Sequence, residues 1–224
     1  MTPPHVFYSR NFYLLLALLL YFICSPLVVD FHFTHLALGI IMSLIILICV
    51  NIVSFNKLTI ILSIIFTALV LSCYLIICLY EPSRMFYTLY FVINSLFLFS
   101  MTTFVVSAVA AHQKITIDTL LGAICGYLLI GLTWSHIYLA LACIEPNAFS
   151  YHLAEGTFRD DIQHFIYFSY ITLTTVGYGD ITPRTDIARA FSWIEAATGQ
   201  IYLTVWISQL VAIQIAQRFR KDKV

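Results

Sequence analysis

The stretch TTVGYGD, residues 174 to 180, places two threonines and two glycines within a chain that is otherwise strongly apolar. Unpaired backbone N–H and C=O groups are costly at membrane depth, so such a stretch needs a specific use there. Glycine adopts dihedral angles that other residues rarely reach, which lets successive carbonyl groups point the same way. Oxygens arranged in this manner can form stacked rings around an axis, which is a site for cations.

The residues before this motif predict the helix that positions it. Asp160 followed by Gln163 has the form of a capping box, and residues 162–173 are predicted to form a helix too short to cross a bilayer. A re-entrant helix of this kind needs protein or a water-filled cavity around it. Its C-terminal end carries the negative pole of the helix dipole, points into the membrane and attracts cations.

Composition defines the class of the chain. Of its 224 residues, 61% are hydrophobic and 10% charged, and the mean hydropathy is +0.94, as expected for an integral membrane protein. The 11 Lys and Arg residues balance 11 Asp and Glu residues, and no basic surface suggests a nucleic-acid partner. Six cysteines in or at the ends of apolar runs, without a CxxC pair, are interpreted as buried free thiols.

Six apolar segments predict an all-α protein with six transmembrane helices, at 12–29, 36–53, 58–80, 85–111, 117–144 and 187–217. Lys and Arg then fall mainly on one side, together with both termini, which predicts that both termini are cytoplasmic and that TTVGYGD enters from outside. We expect the cell membrane as the location, with the basic tail at 218–224 contacting lipid headgroups.

Over residues 117–217, the order of outer helix, re-entrant helix, TTVGYGD and inner helix resembles the potassium channel family. The resemblance implies that four consecutive backbone carbonyls and the Thr175 hydroxyl replace the hydration shell of K+, at Thr175, Val176, Gly177 and Tyr178. A filter needs four loops and this chain has one, so the resemblance implies a homotetramer. It implies no cofactor other than the conducted potassium ions.

The resemblance also implies residues that support the filter. Thr174 and Gly179 flank it, Tyr178 would wedge against aromatic residues of the pore helix, and Asp180 would anchor the outer mouth. Many relatives supply a Trp pair where this chain has Tyr167 and Phe168, and some supply a Glu where it has Ile171. The hydrogen-bond partner of Asp180 is therefore not identified from the sequence.

The inner helix carries the gate candidates. Gly199 is either a hinge or a close helix contact, and Gln200 beside it is predicted to face a cavity. An apolar stripe below is either a gate or ordinary packing, and it consists of Leu203, Ile207, Val211 and Ile215. Glu195 needs a partner, and two positions stay open for it: a contact behind the filter or a site near the outer interface.

Residues 1–114 are predicted to form a four-helix scaffold that resembles a voltage-sensor domain without gating arginines, and residues 115–224 to form the pore domain. No Lys or Arg lies in the fourth span, 85–111. One charge moved through 100 mV supplies about 2.3 kcal/mol, and steep gating takes several such charges. We therefore expect no steep voltage dependence.

Two alternatives accompany the prediction of a potassium-selective channel that is not an enzyme. The chain could be a non-conducting or weakly selective cation channel subunit. It could be a membrane enzyme or haem protein that uses its seven histidines, although spans one to four show no paired histidines at matching depth. The outer residues Asp30, His32, His35, His152 and His164 could also sense protons or zinc, or be ordinary interfacial side chains.

Overall fold

The computed structural model describes residues 10–27, 45, 57–80, 83–111, 116–150 and 158–221. Six helices and two short strands lie in these ranges. In chain order they are α1 (Arg10–Leu27), α2 (Lys57–Leu79), α3 (Arg84–Ala110), α4 (Ile117–Ile144), β1 (Phe149–Ser150), α5 (Phe158–Leu173), β2 (Thr182–Pro183) and α6 (Asp186–Lys221).

Three helices in the described ranges are long and apolar enough to cross a membrane: Arg84–Ala110, Ile117–Ile144 and Asp186–Ile213. Shorter apolar stretches, Asn11–Ser25 and Ile64–Cys73, lie within α1 and α2. The predicted span 36–53 lies outside the described residues except for Ile45. The protein is therefore a mostly helical membrane protein, and the count of six spans stays a prediction.

Helix α4 is the centre of the packing, since α1, α3, α5 and α6 all contact it. Thr102 of α3 and Thr133 of α4 share a buried hydrogen bond of 3.2 Å, and the Asn11 amide of α1 donates to the Asp118 carbonyl. Polar contacts of this kind commonly join helices in membranes. Helices α1 and α3 are thus attached directly to α4, the predicted outer helix.

Helix α5 has 16 residues and is about 24 Å long, short of the roughly 30 Å that a bilayer core requires. It begins at Phe158, four residues before the predicted start, so the predicted capping box is wrong. Asp160 and Asp161 lie within the first turn, where the helix dipole favours acidic residues. Gln163 instead donates to the carbonyl of Ser25 in α1.

A two-stranded antiparallel pair joins the segments on either side of α5 and the filter. Phe149 pairs with Pro183 and Ser150 with Thr182, and the Arg184 amide donates to the Ala148 carbonyl at 2.7 Å. The pairing holds the residues after the filter against the end of α4. The filter segment is thereby fixed at both of its ends.

Helix α6 has 36 residues, about 54 Å, and extends beyond the predicted 187–217 at both ends. Among the described residues, Cys24, Cys73, Cys125 and Cys143 form no disulfide bond; Cys125 and Cys143 are buried as predicted, whereas Cys24 and Cys73 are half-buried.

Candidate functional site: the filter loop and its supports

The filter begins as a cap on the C-terminus of α5. The Val176 amide donates to the Ile171 carbonyl at 2.8 Å, and the Thr175 amide donates to the Thr172 carbonyl at 2.9 Å. With Thr175 at a φ of 59°, these two bonds form a Schellman motif, in which the residue after the helix is left-handed. The Gly177 amide also donates to Ile171, at 3.1 Å. Three amides of the filter stretch are thus bound to carbonyls of α5.

The backbone φ angle alternates in sign along the filter. Thr175, Gly177 and Gly179 have φ values of 59°, 52° and 82°, whereas no positive φ occurs at Val176 or Tyr178. The glycines are needed for this conformation rather than for space, since a Cβ at either would meet nothing within 4 Å in the chain. Thr175 is β-branched, and holding it there costs about 1–3 kcal/mol. Strain of this kind is characteristic of a functional site.

Asp180 is held by Tyr167, which answers the question that the sequence left open. The Tyr167 hydroxyl donates to Asp180 Oδ2 at 2.6 Å, and the Ile181 amide donates to Oδ1 at 3.0 Å. The Tyr167 and Tyr178 rings lie parallel, with centroids 6.5 Å apart. Tyr167 therefore does two things: its ring lies against the filter tyrosine, and its hydroxyl fixes the residue just beyond the filter.

Phe168 points elsewhere. It is 3% exposed and packs in an aromatic cluster behind the filter, with its ring 5.0 Å from Tyr138 and 5.4 Å from Phe149. Within the chain, Tyr178 meets Tyr167 and not Phe168. Thr174, the other flanking residue, donates its hydroxyl to the Tyr170 carbonyl at 2.6 Å.

Gly199 lies against the base of the filter. A Cβ at this position would come within 2.2 Å of the backbone carbonyl oxygen of Leu173, the last residue of α5. The structure thus gives Gly199 the close-contact role, which was one of the two sequence alternatives. Its use as a hinge stays a prediction.

The other gate candidates lie on an uncovered part of α6. Gln200 is exposed, and so are the four stripe residues Leu203, Ile207, Val211 and Ile215. The Thr204 hydroxyl donates to the Gln200 carbonyl within the helix. Exposure in the single chain is consistent both with lining a pore and with contacting another subunit, so the gate stays a prediction.

The sequence did not identify Ser169 and Tyr138, the two residues that contact Glu195 behind the filter. Glu195 is fully buried, and its carboxyl oxygens lie 2.5 Å from the hydroxyls of Ser169 in α5 and Tyr138 in α4. Of the two positions considered, the structure shows the contact behind the filter. The signal was a carboxyl in an apolar span, but its partners are 26 and 57 residues away in the chain.

The described part of the chain contains no group of three His, Cys, Asp or Glu side chains that could hold a metal ion. Of the predicted histidine cluster, only His164 lies in the described ranges. The oxygens that this stretch offers to a cation are those of its backbone and of the Thr175 side chain. Neutral oxygen ligands of this kind suit a hard cation that binds weakly enough to pass on.

Comparison with known proteins finds similarity in the part of the chain that contains the filter. An ion channel family model matches residues 123–215, which contain most of α4, all of α5 and the filter, and most of α6. Comparison with solved structures gives no significant match.

Three curated proteins are similar to the chain. Protein LctB of Geobacillus stearothermophilus is 30% identical over 122 residues, which cover 54% of this chain and 90% of that protein. Probable potassium channel protein 2 of Methanocaldococcus jannaschii is 32% identical over 74 residues, 33% of this chain and 20% of that protein. Two-pore potassium channel 4 of Arabidopsis thaliana is 33% identical over 57 residues, 25% of this chain and 20% of that protein.

The filter loop, its helices and these matches define the protein as an ion channel and not an enzyme. Within that class, the chain belongs to the potassium channel family. The resemblance inferred from TTVGYGD is confirmed.

Replacing Tyr167 by Phe keeps the ring beside Tyr178 but removes the hydrogen bond to Asp180. We expect a less stable outer mouth, with K+ currents that decline faster during sustained opening. The measurement is single-channel recording in planar bilayers. Tyr80→Phe, at an exposed tyrosine beyond α2, is the matched control. Identical current decay in both variants would contradict the anchoring role.

The same hydrogen bond sets a pH window. It lowers the pKa of Asp180 below its usual 3.8. The stabilisation from the Tyr167–Asp180 hydrogen bond is therefore complete above pH 3.8 and is lost only as the pH falls through the lowered pKa. We expect the K+/Na+ permeability ratio to stay constant between about pH 7 and about pH 5, by bi-ionic reversal potentials. Asp180→Asn should lower the ratio throughout this range. A loss of selectivity centred near pH 6 in the unaltered protein would contradict this assignment.

Gly199→Ala distinguishes the two roles of this glycine. The added methyl group must displace the end of α5, so we expect the K+/Na+ permeability ratio to fall together with conduction. A pure hinge would change the fraction of time spent open and leave the ratio intact, which would contradict the packing role. Thr103→Ala, on an exposed face of α3, controls for handling and insertion.

Proposed function

We propose that the protein is a potassium-selective channel in which four copies of the chain assemble around one axis and K+ passes down its gradient through the filter. The observation that carries the proposal is the alternating backbone at Thr175, Gly177 and Gly179, bound through its amides to the end of α5. An alternating strand presents its carbonyls along one side, where four strands enclose a column of oxygens.

Exposed apolar side chains support assembly. Val176 and Tyr178 of the filter are 52% and 73% exposed in the single chain, and Trp193 and Ile201 of α6 are 65% and 63% exposed. Apolar side chains exposed to this extent at the filter and on α6 are expected to be covered by other copies of the chain, since ions and water occupy only the axis. A homotetramer covers it and closes the ring.

The first part of the chain, residues 1–114, serves in this proposal as a scaffold for the pore domain, 115–224. Helix α3 contains no Lys or Arg after Arg84 at its first position, so it lacks the charges that drive steep voltage gating. Both termini are proposed to be cytoplasmic in the cell membrane, which places the filter entrance and Asp180 outside. The basic end of the chain would contact lipid headgroups.

Gating is assigned to α6. The exposed stripe of Leu203, Ile207, Val211 and Ile215 would line the inner pore and close it by excluding water, with Gln200 in the cavity above. The stimulus that opens it is left unassigned.

The direct test is the reversal potential of the purified protein in planar bilayers, with K+ on one side and Na+ on the other. We expect a value near the potassium equilibrium potential and an open probability that changes little with voltage. Gly177→Ala should move the reversal potential toward zero, because an L side chain is strained at a φ of 52°. Ser100→Ala, at an exposed position of α3, should not. A reversal near zero in the unaltered protein would overturn the proposal.

A further inference from the structure

The carboxyl group of Glu195 joins three helices directly behind the filter. It lies in α6, one turn before Gly199, and is 0% exposed. Oε2 accepts a hydrogen bond from the Tyr138 hydroxyl of α4 at 2.5 Å, and Oε1 lies 2.5 Å from Ser169 Oγ of α5. The outer helix, the pore helix and the inner helix therefore meet at one side chain.

The number of protons in this cluster identifies its protonation state. Ser169 Oγ also lies 2.7 Å from the Gly131 carbonyl oxygen of α4. A hydroxyl has one proton to donate, and a carbonyl oxygen only accepts. If Glu195 were ionised, both neighbours of Ser169 would be acceptors, and one short contact would contain no proton. A proton on Glu195 Oε1 satisfies every contact: Glu195 donates to Ser169, Ser169 to Gly131, and Tyr138 to Glu195.

The surroundings do not compensate a negative charge. In the described part of the chain, the titratable groups that interact with Glu195 are three tyrosines, Tyr138 and Tyr127 of α4 and Tyr170 of α5. None of these is a cation at neutral pH, and the other polar contact, Ser169, is neutral. An unpaired carboxylate in such a site is strongly disfavoured.

We propose that Glu195 carries a proton at neutral pH and that this proton makes it a positioning residue of the filter, by locking α5 to α4 and α6. The assignment of a role in the filter rests on the proposed function; the proton itself does not. Removing the proton at alkaline pH leaves an acceptor–acceptor contact at Ser169, and the pore helix that caps the filter loses one of its attachments.

The proton is tested by infrared spectroscopy of the purified full-length protein in lipid at about pH 7. We expect the carbonyl band of a protonated, non-exchanging carboxylic acid that is lost in Glu195→Gln. Asp186→Asn, at the exposed first residue of α6, should leave the band unchanged. If the spectra of the unaltered protein and Glu195→Gln show the same carboxylic acid bands, the inference is overturned, whether or not the protein conducts.

The positioning role is tested by K+ flux through reconstituted protein between about pH 7 and about pH 10. The amide of Glu195→Gln can donate to Ser169 and accept from Tyr138 without titrating, so we expect near-normal selective flux at every pH. The unaltered protein should lose flux several-fold at the alkaline end. Glu195→Leu fills the volume without hydrogen bonds and should lose selectivity at every pH. Equal alkaline losses in the unaltered protein and Glu195→Gln, or normal selectivity in Glu195→Leu, would overturn the role.

Discussion

The fold depends on one constraint: a non-helical backbone at membrane depth must have its amide protons bound if its carbonyl oxygens are to face ions. The C-terminus of α5 meets this constraint, because the Ile171 carbonyl accepts from the amides of both Val176 and Gly177. The left-handed Thr175 turns the chain at that point. The end of a helix, which normally leaves carbonyls without partners, here binds the loop that follows it.

The remaining contacts hold that helix end in place. Gly131 leaves room for the Tyr170 ring, whose hydroxyl donates to the Leu128 carbonyl, and Gly199 brings α6 against Leu173. Glu195 adds a buried hydrogen-bonded link among the same three helices. Small residues and polar side chains serve together here, as is usual where apolar packing gains little over contact with lipid.

The sequence predicted the features that local pattern encodes. TTVGYGD indicated the filter, and apolar length predicted α3, α4 and α6 closely, because hydrocarbon thickness imposes that length. The sequence did not identify which side chains contact each other across helices. The contact of Tyr167 with Asp180 and the contacts of Gly199 and Glu195 depend on helix rotation, which spacing alone does not give. The start of α5 was missed because acidic residues suit both a cap and a first turn.

The most direct test is an electron cryo-microscopy map of the protein in lipid with K+ as the only alkali cation. We expect four chains around a fourfold axis, with a column of ion densities on that axis between the backbone oxygens of residues 175–178. A map in which these oxygens face away from the symmetry axis, or in which the filter loops do not meet on one axis, would contradict this expectation.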